Sequence, residues 1–284
     1  MSKIHIITDT DSSLPADVAA AHSIVQVPIT IQFGDETYQT GIDIDDKTLF
    51  EKIDSLNKLP TTAAPSPAAF IEAFDNAYKN GAESIICICV GSKISRTYQS
   101  ALQAAEEFPG KKISVVDSEY LSLGQGLMVL AAAKAVEQGA SHEEAVQAAL
   151  SLLGRLHLFG ALPTLKYLAL GGRIKPVAAG MADLLNIRPI LTMRDGKLDL
   201  LEKVRTNKVA FRRLVELLTE SADGKEIQEV GIIHINNLEG AIALEKALRE
   251  SLKIPPEVMI VEFTPGLSVH AGAGMVAAVL LTKN

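Results

Sequence analysis

A chain of 284 residues, 48% of them hydrophobic and 21% charged, is long enough for one large domain or two ordinary ones with a real buried core. Its net charge of -7, with no Lys/Arg run longer than a pair, argues against nucleic acid or an anionic membrane surface as the main partner. No stretch of about 18 uncharged apolar residues is present to cross a bilayer, and "MSKIHIITDTD" enters a strand-like run and reaches acidic residues without a signal-peptide core, so a cytoplasmic protein is expected.

In chain order, "IHIITD" predicts a strand, "SSLPADVAAAHS" a capped helix with Pro15 in its first turn, and "IVQVPITIQF" a strand. "SPAAFIEAFDNAYKNG" predicts a helix closed by Gly81, and "SIICICV" a second buried strand. There follow a helix in "TYQSALQAAEEF", a strand in "KISVVDS", and helices in "LGQGLMVLAAAKAVEQG" and "SHEEAVQAALSLLGRL", the last opened by a Ser141 to Glu144 capping box. Strands of Ile, Val and Cys separated by helices imply a parallel sheet covered on both faces. Cys87 and Cys89, two apart in such a strand, share a face and read as small buried hydrophobes; C-x-C alone supplies too few ligands for zinc.

After about Leu156 the pattern changes. "RPILTMRDGKLDLLEKVRT" is two extended runs joined across Asp195-Gly196, the mark of a tight hairpin, which belongs to an antiparallel or mixed sheet. The helix "NKVAFRRLVELLTES", strand "EVGIIHI", helix "LEGAIALEKALRES", strand "EVMIVEF" and closing apolar segment "GMVAAVLLT" complete the chain. The expected fold is therefore two α/β domains, residues 1–156 with a mostly parallel sheet sandwiched by helices and residues 157–284 with a mixed sheet and the hairpin. The cleft between them is the natural ligand site.

Ligands of parallel α/β sheets bind beyond the carboxyl ends of the strands. Four strand ends empty into hydroxyl- or glycine-rich turns: "TDTDSS", "GSKISRT", "SEYLSLGQG" and "TPGLSVHAGAG". Backbone N–H groups there, with Ser92, Ser95 and Thr97 among the hydroxyls, favour an anionic oxygen group, although each turn alone is also explained by helix capping. "PTTAAPSP" adds further hydroxyls on a rigid extended loop. A P-loop, a G-x-S-x-G elbow and metal-ligand histidine spacing are all missing, and "GAGMVA" lacks the βαβ unit that a dinucleotide fingerprint needs. His5 and His234 sit in strand-like runs and read as structural, whereas His270 lies in a glycine-rich turn where its side chain is free to face a cleft. "GGRIK" and "VRTNK" offer Arg173 and Arg205 as partners for an anion.

These pieces, "TDTDSSLP", "TTAAPSP", "SKISRTYQSA", "VVDSEYLSLGQG", "LPTLKYLALGGRI", "RPILTMRDGKL" and "VHAGAG", occur in an order and spacing that resemble the DegV family of bacterial fatty-acid-binding proteins over nearly the whole chain. The resemblance implies a two-domain protein holding one long-chain fatty acid, its acyl chain in an apolar tunnel and its carboxyl at the domain interface; the helix "GQGLMVLAAAKAV", apolar almost all round, places the tunnel mainly in the first domain. It implies no cofactor and no catalysis by the protein itself; the acid is delivered to a separate ATP-using fatty acid kinase that makes acyl-phosphate. The family's carboxyl-holding threonine and serine fall on Thr62 and Ser95, with Ser92, Arg96 and Thr97 on the same turn as Ser95. Its arginine after the hairpin and its turn histidine fall on Arg205 and His270, beside Gly272, with Arg173 as a further charge partner. The chain departs from the family pattern at Ala63-Ala64, at Arg96 in place of a glycine, and at Ala273 in place of a proline. A phosphotransferase-type enzyme using His270 or Asp9 as acceptor, or a regulatory interaction protein, fits the same two-domain plan.

Overall fold

The computed structural model describes residues 3–174 and 186–283. The chain divides into two units, Met1–Asp43 with Thr62–Leu153, and Ile44–Thr61 with Gly154–Asn284.

In the first unit, β1 (Ile4–Asp9), β2 (Ile24–Val27), β6 (Ser84–Cys89) and β7 (Lys112–Asp117) form a sheet in the order β2-β1-β6-β7. Every pairing in it is parallel. All six residues of β6 are buried, as expected of a central parallel strand covered on both faces. Alternation along β6 divides its side chains between two layers. Ile85, Cys87 and Cys89 pack with Phe70 and Phe74 of α3 (Pro67–Lys79) and with Ala101 and Ala104 of α4 (Thr97–Glu106). The opposite face is covered by α5 (Leu123–Glu137) and α6 (His142–Leu150), which pack on each other and on β6. The α6 capping box forms as expected, with Ser141 and Glu144 bonding each other's backbone N–H. Cys87 and Cys89 are free and buried, their sulfurs 3.7 Å apart on one face.

"IVQVPITIQF" is not one strand. Pro28, which has no N–H to give a ladder, separates β2 from β3 (Thr30–Phe33). The latter turns through Gly34 into β4 (Glu36–Gln39), and a small second sheet runs β4-β3-β5, with β5 at Thr61–Ala63 inside the expected proline-rich loop.

In the second unit the six-stranded order is β10-β9-β8-β13-β11-β12, from β8 (Leu156–Ala161), β9 (Arg188–Arg194), β10 (Lys197–Val204), β11 (Ile227–His234), β12 (Met259–Glu262) and β13 (Val276–Thr282). Only β11 and β12 pair in parallel, joined through α9 (Leu238–Ser251), so the sheet is mixed. The predicted hairpin closes between Arg194 and Lys197. Asp195 and Gly196 both have positive φ, 50° and 71°, the pair of left-handed residues a type I′ turn requires. α8 (Asn207–Ala222) and α9 bury Leu214, Leu218, Leu244 and Leu248 against Val230, Ile232, Ala278 and Leu280 of the sheet.

The division differs from the expected 156/157 boundary in one respect beyond a few residues. Ile44–Thr61, which contains α2 (Asp46–Leu56), groups with the second unit although it lies within the first half of the sequence. α2 packs on α10 (Pro265–Ala271), and the buried Ser268 hydroxyl donates to Asp46 Oδ2 at 2.7 Å. The amphipathic pattern of α2 states which residues are buried, not which partner covers them.

Candidate functional site

The β1–β6 ladder runs from Ile4 opposite Ser84 to Thr8 opposite Ile88. One residue on, a side chain takes over the pairing. Asp9, fully buried, accepts the Val90 N–H through Oδ2 at 2.9 Å and the Asp11 N–H through Oδ1 at 3.0 Å. Gln125, fully buried in the first turn of α5, donates from Nε2 to Asp9 Oδ2 at 3.1 Å and to Thr8 Oγ1 at 2.9 Å. The Thr8 hydroxyl in turn donates to the Ile88 carbonyl at 2.7 Å. Burial pushes the Asp9 carboxyl up to about 6, against the hydrogen bonds from Val90, Asp11, Gln125 and its own backbone that favour its charged form.

Beyond Val90 the chain turns at Gly91, whose N–H reaches the Tyr120 carbonyl at 2.7 Å. A Cβ at Gly91 would lie 3.2 Å from the Glu119 backbone, so the close approach of the two loops favours glycine there. The Gly91 carbonyl then accepts from Ile94 and Ser95, at 2.9 and 3.1 Å. The N–H of Ser92 goes to Asp117 Oδ1 at 3.0 Å, and that of Thr97 to Ser95 Oγ at 3.3 Å. The backbone donors of Ser92, Ser95 and Thr97 are thus already used within the fold. The turn also presents hydroxyls. The Ser95 and Thr97 hydroxyl oxygens stand 2.9 Å apart, Thr97 fully buried and Ser95 half-buried, with Ser92 and Arg96 exposed beside them. Thr62, half-buried, lies on β5 of the small sheet. Ser66 of the same loop caps α3, accepting from Ala69 N–H at 3.3 Å.

The remaining predicted residues belong to the second unit. His270 is not in a glycine-rich turn; it occupies the last turn of α10, and the turn follows it. Burial first, and Arg173 second, push its imidazole down to about 4, so it is neutral at pH 7. α7 (Lys166–Leu170) and α10 approach closely because two glycines allow it. A Cβ at Gly171 would lie 2.4 Å from His270 Nδ1, and one at Gly272, where φ is +83°, 2.5 Å from the Tyr167 ring. Arg173 is exposed and donates to the Gly171 carbonyl. Lys175 of "GGRIK" lies outside the described residues. Arg205 is exposed just after β10, ahead of Thr206, which caps α8.

The turn after β6 therefore gathers Ser92, Ser95, Arg96 and Thr97, and the α7–α10 contact gathers Arg173, His270 and Gly272; Thr62 and Arg205 stand on elements of their own. Of two polar residues buried in the first unit, Gln125 was not expected as a site residue, and Asp9 was expected only as the acceptor of the phosphotransferase alternative. Gln125 carried a signal, as the one polar side chain in the otherwise apolar first half of its helix, and so did Asp9, the acid that closes an apolar strand. Among the described residues no group of three or more His, Cys, Asp or Glu could hold a metal, and no helix is long and apolar enough to cross a membrane.

A family model described as an uncharacterised protein of the DegV family matches residues 3–283. A DegV domain-containing protein of Caldanaerobacter subterraneus subsp. tengcongensis is 36% identical over 272 residues, covering 96% of each chain. Among solved structures, a DegV family protein from Thermus thermophilus, described for its fatty acid binding, superposes with a TM-score of 0.91 at 28% identity over 99% of both chains. DegV of Bacillus subtilis, described as a fatty acid binding protein, superposes with a TM-score of 0.87 at 28% identity over the whole of both. With the family model and the relative both matching across almost every residue, the chain belongs to the DegV family.

Proposed function

We propose that this protein binds one long-chain fatty acid in the cytoplasm and presents its carboxyl group to a separate fatty acid kinase for acyl-phosphate formation, without catalysing a reaction itself. The observation that carries the reading is the Ser95–Thr97 pair. Ser95 Oγ accepts the Thr97 N–H at 3.3 Å and stands 2.9 Å from the Thr97 hydroxyl, either of which can donate to the other; a carboxylate is an acceptor-only partner for the hydroxyl proton the pair leaves over. Thr62 supplies the second donor, and Arg96, exposed beside Ser95, adds positive charge near the carboxylate. The fatty acid binding described for the Thermus thermophilus and Bacillus subtilis relatives supports the same ligand class.

The acyl chain is assigned to the first unit, against α5. Burying about 15 methylenes at ~0.8 kcal/mol each contributes roughly 12 kcal/mol before ordering costs, so the polar end orients the ligand more than it retains it. Asp9 is a poor phosphate acceptor for the alternative phosphotransferase reading, being fully buried with both carboxylate oxygens engaged by the fold.

Solvent extraction of the purified, denatured protein followed by mass spectrometry tests the proposal, with one equivalent of fatty acid expected. Replacing Thr62 and Ser95 together by Ala removes both donors, each hydrogen bond to a charged group being worth ~1.5–3 kcal/mol, and is expected to weaken binding of the acid at least tenfold. A protein that extracts empty and turns over a phosphodonor would overturn it.

A further inference from the structure

We propose that Asp9 is a positioning residue for the ligand's carboxyl group, holding the turn that carries Ser95 through the Val90 N–H. The proposal rests on the fatty-acid reading and adds to it a residue that touches no ligand. Parallel pairing of β1 with β6 stops at Thr8 and Ile88; the β7 side still holds the Cys89 carbonyl through the Ser118 N–H at 3.1 Å, but on the β1 side no ladder bond takes up the Val90 N–H. The Asp9 carboxylate does so, at 2.9 Å.

From Val90 the constraint passes along the backbone without a slack link. Gly91 is gripped by the Tyr120 carbonyl through its N–H and is hemmed in at its α-carbon by the Glu119 backbone. Its own carbonyl holds the Ser95 N–H, and Ser95 Oγ is fixed by Thr97. The same carboxylate also sets the turn Thr10–Ser12 through the Asp11 N–H and ties in the start of α5 through Gln125. Of these, α5 is the helix to which the acyl chain is assigned.

An ionised carboxylate is suited to this place because it only accepts, and every group that reaches it is a donor: Val90 N–H, Asp11 N–H and the Gln125 amide. The titratable groups around it are Asp11 on the following turn and Cys89 on β6, with Asp117 of β7 bearing on Cys89; burial raises the Cys89 thiol well above its ordinary range, so it stays neutral.

Asp9→Asn keeps the shape but turns one of two acceptor atoms into a donor facing a donor. The probes are oleic acid and oleyl alcohol, which share a tail and differ at the head. Asp9→Asn is expected to lower oleic acid affinity roughly tenfold, the worth of one charge-assisted hydrogen bond, and to leave oleyl alcohol affinity within about twofold of wild type. In a Ser95→Ala background, where the positioned hydroxyl is already gone, Asp9→Asn is expected to add less than about twofold. Gln125→Met, which removes one donor from the carboxylate and preserves volume, is the second variant should Asp9→Asn not fold, with an expected loss of roughly threefold confined to the acid. Equal loss of both probes, no loss of either, or a full additional loss in the Ser95→Ala background would overturn the positioning role while leaving the carrier reading intact. A wild-type chain that binds neither probe would overturn the carrier reading, and the positioning role with it.

Discussion

Asp46 shows how far a single buried group can depart from its ordinary chemistry. It is 2% exposed, Ser268 donates to one of its oxygens at 2.7 Å, and the other oxygen has no hydrogen-bond partner among the described residues. Burial, with the nearby charges of Glu262 and Asp45, pushes its carboxyl up to about 7, although the Ser268 bond favours the charged form. The folded protein therefore holds a proton there that the unfolded chain releases near pH 4, and the stability this lends is lost as pH rises from about 4 through about 7. Asp46→Asn keeps an acceptor for Ser268 without the charge. Its melting temperature is expected to match wild type near pH 4.5 and to exceed it at pH 8 by an amount equivalent to on the order of 2 kcal/mol. Parallel melting curves across that range would contradict this account. His270 moves in the opposite direction for the same reason, since burial disfavours the charged form of a base as it does that of an acid.

At the scale of elements, α5 is decisive. Residues Leu123 through Leu130, Ala132, Ala133 and Val136 are buried, so this helix has almost no solvent face, and Gly126 brings it so near the preceding layer that a Cβ would lie 2.7 Å from the Ser12 carbonyl. Such a helix either packs a plain core or lines an apolar channel. Ala132→Trp separates the two. Where the side chain points into the acyl channel, the indole takes the space of the ligand: binding of an ~18-carbon acid is expected to be lost, with the melting temperature within a few degrees of the wild-type protein stripped of lipid. In a closed core the same change would overpack and cost about 1–3 kcal/mol or more, lowering the melting temperature whether or not ligand is present. α5 itself was legible from its unbroken run of apolar and small residues, as was the β9–β10 hairpin from Asp195-Gly196. β4 and β5, three or four residues long, were not, nor was α2, set between polar turns; the helix expected through Leu156 ends at Leu150, and Leu156 opens β8 instead.

For the whole molecule the proposed division of labour can be measured. A ligand held mainly by its tail tolerates the loss of a head-group contact, whereas a transfer partner meets the head group and the exposed surface around it. Arg205 is exposed and His270 is neutral and half-buried, so neither retains a carboxylate by a buried ion pair. Arg205→Ala and His270→Ala are expected to leave the extracted fatty acid within about twofold of wild type and to slow acyl-phosphate formation by a fatty acid kinase roughly tenfold or more. Parallel losses in both measurements would show that these residues hold the ligand instead.

The sequence by itself determined the two α/β folds, because apolar periodicity, capping residues and the Asp-Gly turn act over a few residues and need no knowledge of what lies across the core. It also marked Ser95 and its neighbours, since hydroxyls after a buried strand stand out by type alone. Tertiary structure decided the rest. That Ile44–Thr61 groups with the later residues follows from the packing of α2 on α10, in which Asp46 and Ser268, 222 positions apart, share a hydrogen bond. That the Ser92 N–H is spent on Asp117, and that Asp9 with Gln125 ties down the strand end before it, follows from contacts 25, 81 and 116 positions apart. A buried polar group must be paired, but its partner is chosen by which strands and helices the fold brings within about 3 Å, and local sequence carries no record of that choice.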